Sequence, residues 1–403
     1  MSNVLVVIGH GMVGHRFVRE LRARDRDRSW RVVVLAEEPV PAYDRLHLSE
    51  RARGAPEAQL SLPGADFASD DGVELRLATR AVRIDREARE VLCADGARVR
   101  YDALVLAAGS RPFVPPVPGH DLPGCHVYRT LADVAAIRAA ARPGRTGVVV
   151  GGGLLGLEAA GALQALGMRP HVVEGAPWLM PLQLDEGGGA VLGRQVTELG
   201  VAPHCGVGLK SVDAGPDGTA SSVTLADGTV LDTSLVVFST GVRPRDELAA
   251  DAGLNTGERG GFHVDGHCRT ADERIWAVGE CAAVDGRCFG LVTPGYRMAE
   301  SVASTLTGET PAPLSDPDLS TELKLLGVAV ASFGDAHART AGAMEYIHTS
   351  GAGDRYAKLV LDATGNTLLG GVLAGDSSSY GRLRSLLGHR LPGAPEGLLG
   401  AAL

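Results

Sequence analysis

Val4-Leu5-Val6-Val7-Ile8-Gly9-His10-Gly11-Met12-Val13-Gly14 and Val148-Val149-Val150-Gly151-Gly152-Gly153-Leu154-Leu155-Gly156 decide how this chain folds. In each, an apolar β-branched run ends in glycines spaced Gly-x-Gly-x-x-Gly. A helix-like stretch follows each cluster, at residues 16–24 and 157–166, and then a second strand-like run, at 31–35 and 169–173. The first glycine permits a tight turn, the second lets backbone approach a pyrophosphate, and the third lets the helix pack on the strand. The phosphates then sit at a helix N-terminus, where free N–H groups and the helix dipole favour negative charge. Each second strand ends near an acid, Glu37 in the first unit and Glu174 in the second, where an adenosine ribose is expected. One such triplet also serves plain strand-to-helix turns; two in one chain, each with its acid, imply two dinucleotides.

The chain's 403 residues exceed the roughly 250–300 at which a single core stops growing, so two or three domains are expected. Hydrophobic residues at 45% and charged residues at 22% are ordinary globular values, and 54 glycines point to many tight turns. A net charge of -9 argues against nucleic acid as a partner, because phosphate neutralisation needs a basic surface. The six cysteines include no Cys-x-x-Cys pair and no histidines at zinc-site spacing, so no metal centre is expected and the thiols read as free in a reducing cytoplasm. No basic leader or long apolar run suggests export or a membrane. A Pro-rich stretch, PAPLSDPDLS, opens a third region near Pro311, with strand-like runs at 323–332, 356–361 and 368–373. The last two read as a hairpin through Ala363-Thr364-Gly365-Asn366.

The segments IGHGMVGHRF, EEPVPAYDRLHLS, VLAAGSRP, VVVGGGLLGLEAAGAL, HVVEGAPWLMPLQLD, IWAVGECAA and FGLVTPGYRMAE occur in this order. Together they resemble the flavoprotein portion of the NAD(P)H-dependent nitrite reductase large subunit, within the wider family of ferredoxin, rubredoxin and pyridine nucleotide-disulfide reductases. The resemblance implies that the first unit holds FAD, with Gly9, Gly11, Val13 and Gly14 on the pyrophosphate and Glu37 on the adenosine ribose. It makes Arg45 and Arg129 flavin-nucleotide contacts and sets Val82 beside the adenine. Ala107-Ala108-Gly109 resembles the family's Ala-Thr-Gly, with Ala108 in place of the threonine, while Ser239-Thr240-Gly241 is its counterpart in the second unit. Glu280 corresponds to the acid that accepts hydrogen bonds from the ribityl chain. Glu50 stands where related ferredoxin reductases carry Lys. Thr293-Pro294 reads as a helix start, with Thr293 as N-cap and Pro294 first in the helix; the resemblance aims that helix end at the flavin. In the second unit Gly151, Gly153, Leu155 and Gly156 would hold NADH, with Glu174 on the ribose hydroxyls and disfavouring the 2′-phosphate of NADPH. Glu158, read from the spacing as lying on the first helical turn, is placed by the resemblance beside the stacked nicotinamide and flavin as the candidate catalytic side chain.

The resulting expectation is an α/β protein with two doubly wound Rossmann-like domains and a small C-terminal α+β domain. Residues 1–110 and 243–310 form the FAD domain, 111–242 the NAD(H) domain, and 311–403 an interface domain suited to a homodimer. Its expected chemistry is hydride transfer from NADH to FAD, then electron release to a separate acceptor protein or small molecule. A flavin monooxygenase would also carry two glycine triplets, but the Phe-x-Gly-x-x-x-His fingerprint of one such branch does not occur. A disulfide reductase needs a redox cysteine near the flavin, and residues 37–54 contain none. A non-enzymatic, NADH-responsive binding module is the third alternative. No cysteine follows Cys288, so thiolates for an iron–sulfur centre, which six-electron nitrite reduction needs, are not expected in this chain.

Overall fold

A computed structural model describes residues 3–314 and 318–399. Residues 315–317, inside the Pro-rich stretch expected as a linker, lie outside the described residues, and so does that part of the expectation. Among the described residues the chain forms two compact units: residues 3–47, 56–111 and 242–314 make one, and 48–55, 112–241 and 318–399 the other.

In the first unit, five strands form a parallel sheet in the order Ile275–Ala277, Ala103–Leu106, Asn3–Ile8, Trp30–Leu35, Val73–Arg76. Its central strands are buried on both faces, as continuous Val/Leu/Ile runs require. The helix Met12–Arg24 packs against Val292–Leu306 and buries Phe17, Val18 and Leu21. Fully burying such side chains contributes about 1.5–3 kcal/mol each.

The second unit repeats the arrangement in the order Ala202–Cys205, Arg169–Glu174, Thr146–Val150, Val236–Phe238, Cys125–Val127, again with every pairing parallel. Both sheets place the glycine-motif strand between its own second strand and the strand carrying the closing Ala-Ala-Gly or Ser-Thr-Gly. Residues 318–399 add an antiparallel five-stranded sheet, ordered Thr321–Leu325, Val328–Gly334, Leu368–Ala374, Tyr356–Leu361, Met344–Thr349, and the short helix Tyr380–Ser385. The hairpin expected through Ala363 to Asn366 joins two of these strands.

Candidate functional site: two glycine turns

Gly9 and Gly151 directly follow their strands with φ of +106° and +109°, a left-handed conformation that glycine adopts without steric cost. A Cβ on Gly9 would collide with the Ala107 carbonyl, and one on Gly151 with the Ser239 carbonyl. A Cβ on Gly14 would strike the Gly9 carbonyl, and one on Gly156 the Gly151 carbonyl. Each turn is thus wedged between its own helix and the closing motif, so the two units solve one packing problem in the same way. The middle glycines, Gly11 and Gly153, are the N-caps of their helices and have no side-chain cap bond. Around Gly153 no atom lies within 4 Å of where a Cβ would be, and at Gly11 the nearest is Arg45 Nε, 4.0 Å away. The cradle therefore keeps room for a group pressed against backbone, with a guanidinium beside the first turn, which is the donor set a pyrophosphate needs.

Arg45 also pairs with Glu38 and lies over the Tyr43 ring, whose hydroxyl donates to Glu38 at 2.8 Å. Glu37 follows the strand Trp30–Leu35 and pairs with Arg245, with Arg80 at 3.7 Å. Val82 is 39% exposed on the strand Ala81–Asp85. Gly109, at φ +70°, has open space at its Cβ position, and Ser110 next to it donates its hydroxyl to Glu280 at 2.7 Å. Gly279 and Gly295 both press on Val13, so the turn Gly279–Cys281, the start of the helix Val292–Leu306 and the first glycine motif meet at one point. Ala108 is half-buried beside Gly9.

In the second unit, Glu174 ends its strand and accepts hydrogen bonds from the N–H groups of Gly152, at 2.7 Å, and Ala176, at 2.8 Å. Two backbone donors thereby hold the carboxylate beside the glycine turn. Thr240 donates to the Phe113 carbonyl at 2.7 Å, anchoring the motif that Gly241 completes at φ +100°. Leu155 lies partly exposed in the first turn of the helix Leu154–Ala165. Arg129 precedes the helix Leu131–Ala140, where Asp133 accepts from its backbone N–H at 3.1 Å in a capping box with Thr130.

Two local expectations need correction. The helix expected to start at Thr293 begins at Val292, preceded by Leu291 and with no side-chain cap, so Thr293 is the second helical residue. Proline is tolerated throughout a first turn, where N–H groups have no intrahelical partner, so Pro294 bounds the start only loosely. Glu158 is not in the first turn either: with Gly153 as N-cap the helix starts at Leu154, which makes Glu158 its fifth residue.

Reading the sequence alone missed Glu38, Ser110 and Arg245. Ser110 and Glu38 adjoin motif residues, and that adjacency was the available signal; Arg245 reaches Glu37 across 208 positions, with nothing local to announce it. Cys281 is buried, its thiol donates to the carbonyls of Leu106 and Val278 at 3.3 and 3.4 Å, and burial pushes its pKa up to about 12. Among the described residues no cluster of three or more His, Cys, Asp or Glu could hold a metal, and no helix is long and apolar enough to cross a membrane.

The profile of the pyridine nucleotide-disulphide oxidoreductase family matches residues 3–304, and that of the rubredoxin NAD+ reductase C-terminal domain matches residues 320–390. The nitrite reductase [NAD(P)H] large subunit of Klebsiella oxytoca is 50% identical over 99% of this chain, which spans only 42% of that protein's length. Rhodocoxin reductase of Rhodococcus erythropolis is 31% identical over 97% of this chain and 91% of its own. The crystal structure of a ferredoxin reductase from Rhodopseudomonas palustris superposes over 100% of both chains, with a TM-score of 0.85 at 28% identity. The chain therefore belongs to the pyridine nucleotide-disulphide oxidoreductase family.

Proposed function

We propose that the first glycine turn holds FAD, that the second holds NADH, and that electrons pass from the flavin to a separate redox acceptor. The observation that carries this reading is the repeated turn: one wedged cradle in each parallel sheet, each with an acid at or just past the end of its second strand. In the FAD unit, Gly9, Gly11, Val13 and Gly14 would line the pyrophosphate, Arg45 would offset its charge, and Glu37 would take the adenosine ribose. Val82, Ala108, Gly109, Glu280 and Thr293 would complete that site, and Arg129 would also contact the flavin nucleotide. When bound, the flavin supplies the redox step, taking hydride from the nicotinamide and releasing electrons singly or as a pair.

In the NADH unit, Gly151, Gly153, Leu155 and Gly156 would hold the pyrophosphate, with Thr240 and Gly241 closing the site. Glu174, its carboxylate fixed by two N–H groups, would bond the ribose hydroxyls and repel a 2′-phosphate. Glu158 is the acid proposed to face the nicotinamide. The domain roles follow: residues 1–110 and 243–310 for FAD, 111–242 for NADH, and 311–403 as an interface domain. Relatives named for rhodocoxin and rubredoxin support transfer to a separate acceptor protein.

The purified chain should carry non-covalent FAD and reduce ferricyanide with NADH at higher kcat/KM than with NADPH, while forming no ammonium from nitrite. A protein that cannot be reconstituted with FAD, or a clear NADPH preference, would refute the corresponding assignment. Ammonium formed by the chain alone would refute the separate acceptor.

A further inference from the structure

In the second parallel sheet Val127 stands level with Phe238, and Phe238 with Val150. One residue further come Tyr128, Ser239 and Gly151, at the carboxyl ends of three adjacent strands. Tyr128 therefore lies along the edge at which sheets of this kind bind their ligands. It is 3% exposed, and its hydroxyl has no hydrogen-bond partner among the described residues. The charges acting on it are the Glu158 carboxylate and the Arg53 guanidinium, both in the same unit. Burial, reinforced by Glu158, pushes its ionisation upward, so at neutral pH it is a hydrogen-bond donor.

A buried donor left unpaired is costly, and phenylalanine would fill the same space without that cost. Packing thus gives no reason for the hydroxyl. We propose that Tyr128 is a positioning residue for hydride transfer: its hydroxyl captures the Glu158 carboxylate and fixes its orientation toward the nicotinamide. The inference rests on the proposed binding of NADH in the second unit. Tyr128 acts through Glu158, whose charge it feels, and not by touching the coenzyme.

The test is a double-mutant cycle on the FAD-loaded protein, comparing wild type, Tyr128→Phe, Glu158→Gln and the double variant. Stopped-flow absorbance gives the limiting rate of flavin reduction by NADH. Tyr128→Phe should melt at or above the wild-type temperature, keep its FAD, and reduce about fivefold more slowly, within the coupling range expected of contacting residues. In the Glu158→Gln background the same substitution should have no further effect. Equal losses in both backgrounds, no loss in the wild-type background, or a lower melting temperature for Tyr128→Phe would each overturn the inference. A wild-type flavin that NADH cannot reduce would sink the proposed function and this inference together, whereas normal wild-type reduction with additive losses would sink the inference alone.

Discussion

His15 directly follows the last glycine of the first turn and is buried, its ring 5.8 Å from that of His10 and 5.5 Å from that of Phe67. Burial first, then the nearby His10 and Arg19, oppose a positive charge and lower its pKa from 6.5 to about 4. The unfolded chain takes up this proton near pH 6.5 and the folded chain only near 4, so stability is full above 6.5 and falls as pH drops toward 4. At 1.36 kcal/mol per pKa unit the loss is on the order of 3 kcal/mol at most. His10, whose Nε2 lies 2.7 Å from the Ala65 carbonyl, is lowered by burial as well, so replacing His15 removes only part of the acid sensitivity. Urea unfolding at pH 7 and pH 4.5 should show a smaller loss for His15→Gln than for wild type, and equal losses would show that His15 is not the titrating group. None of this was legible in the sequence, because what depresses the pKa is burial beneath a loop that ends near Phe67, some fifty residues away.

At the scale of elements, the helix Glu186–Glu198 begins Glu186-Gly187-Gly188-Gly189, a composition that disfavours helix by about 1 kcal/mol per glycine relative to alanine. Packing explains it. A Cβ on Gly187 would collide with the Tyr356 ring, and one on Gly189 would stand 2.6 Å from Trp178. The sheet strand carrying Tyr356 and Lys358 lies on this helix start. There Asp185, the N-cap, accepts from the Tyr356 hydroxyl at 2.7 Å and from the buried Lys358 ammonium at 2.8 Å, and Glu345 holds the same ammonium at 2.9 Å. Gly187→Ala should therefore destabilise by about 1–3 kcal/mol, as overpacking does. Gly193→Ala on the same helix meets nothing within 4 Å and should stabilise by about 0.4–1 kcal/mol. Denaturant midpoints of the two variants check this, and a shift of the same sign in both would rule out the packing account. Helix existence was legible from periodicity, whereas helix starts were not: Thr293-Pro294 and the glycines before Glu158 each admit several first residues, and tertiary contacts choose among them.

Across the whole molecule, the doubled fold was readable because both glycine triplets answer a local demand, a backbone turn that no side chain fits, and that demand is written in consecutive residues. The proposed assignment of each acid to a ribose was read from the same unit. What joins Glu280 to Ser110, or Glu37 to Arg245, depends on residues 170 and 208 positions apart and leaves no local trace. Because each cradle is built within its own sheet, the two should fail separately. Gly156→Ala drives a Cβ into the Gly151 carbonyl and leaves the first turn untouched. The variant should purify yellow, with FAD content near wild type, and its flavin should still be reduced by dithionite. NADH should reduce it at least about tenfold less effectively, the counterpart of roughly 1.4 kcal/mol of lost binding. Gly14→Ala, which drives a Cβ into the Gly9 carbonyl, should do the reverse: little or no flavin retained, with NADH still raising the melting temperature. Flavin content by absorbance and the NADH-induced melting shift, measured on both variants, decide the matter. If Gly156→Ala lost its FAD, or Gly14→Ala lost the NADH shift, the two turns would not be independent nucleotide sites.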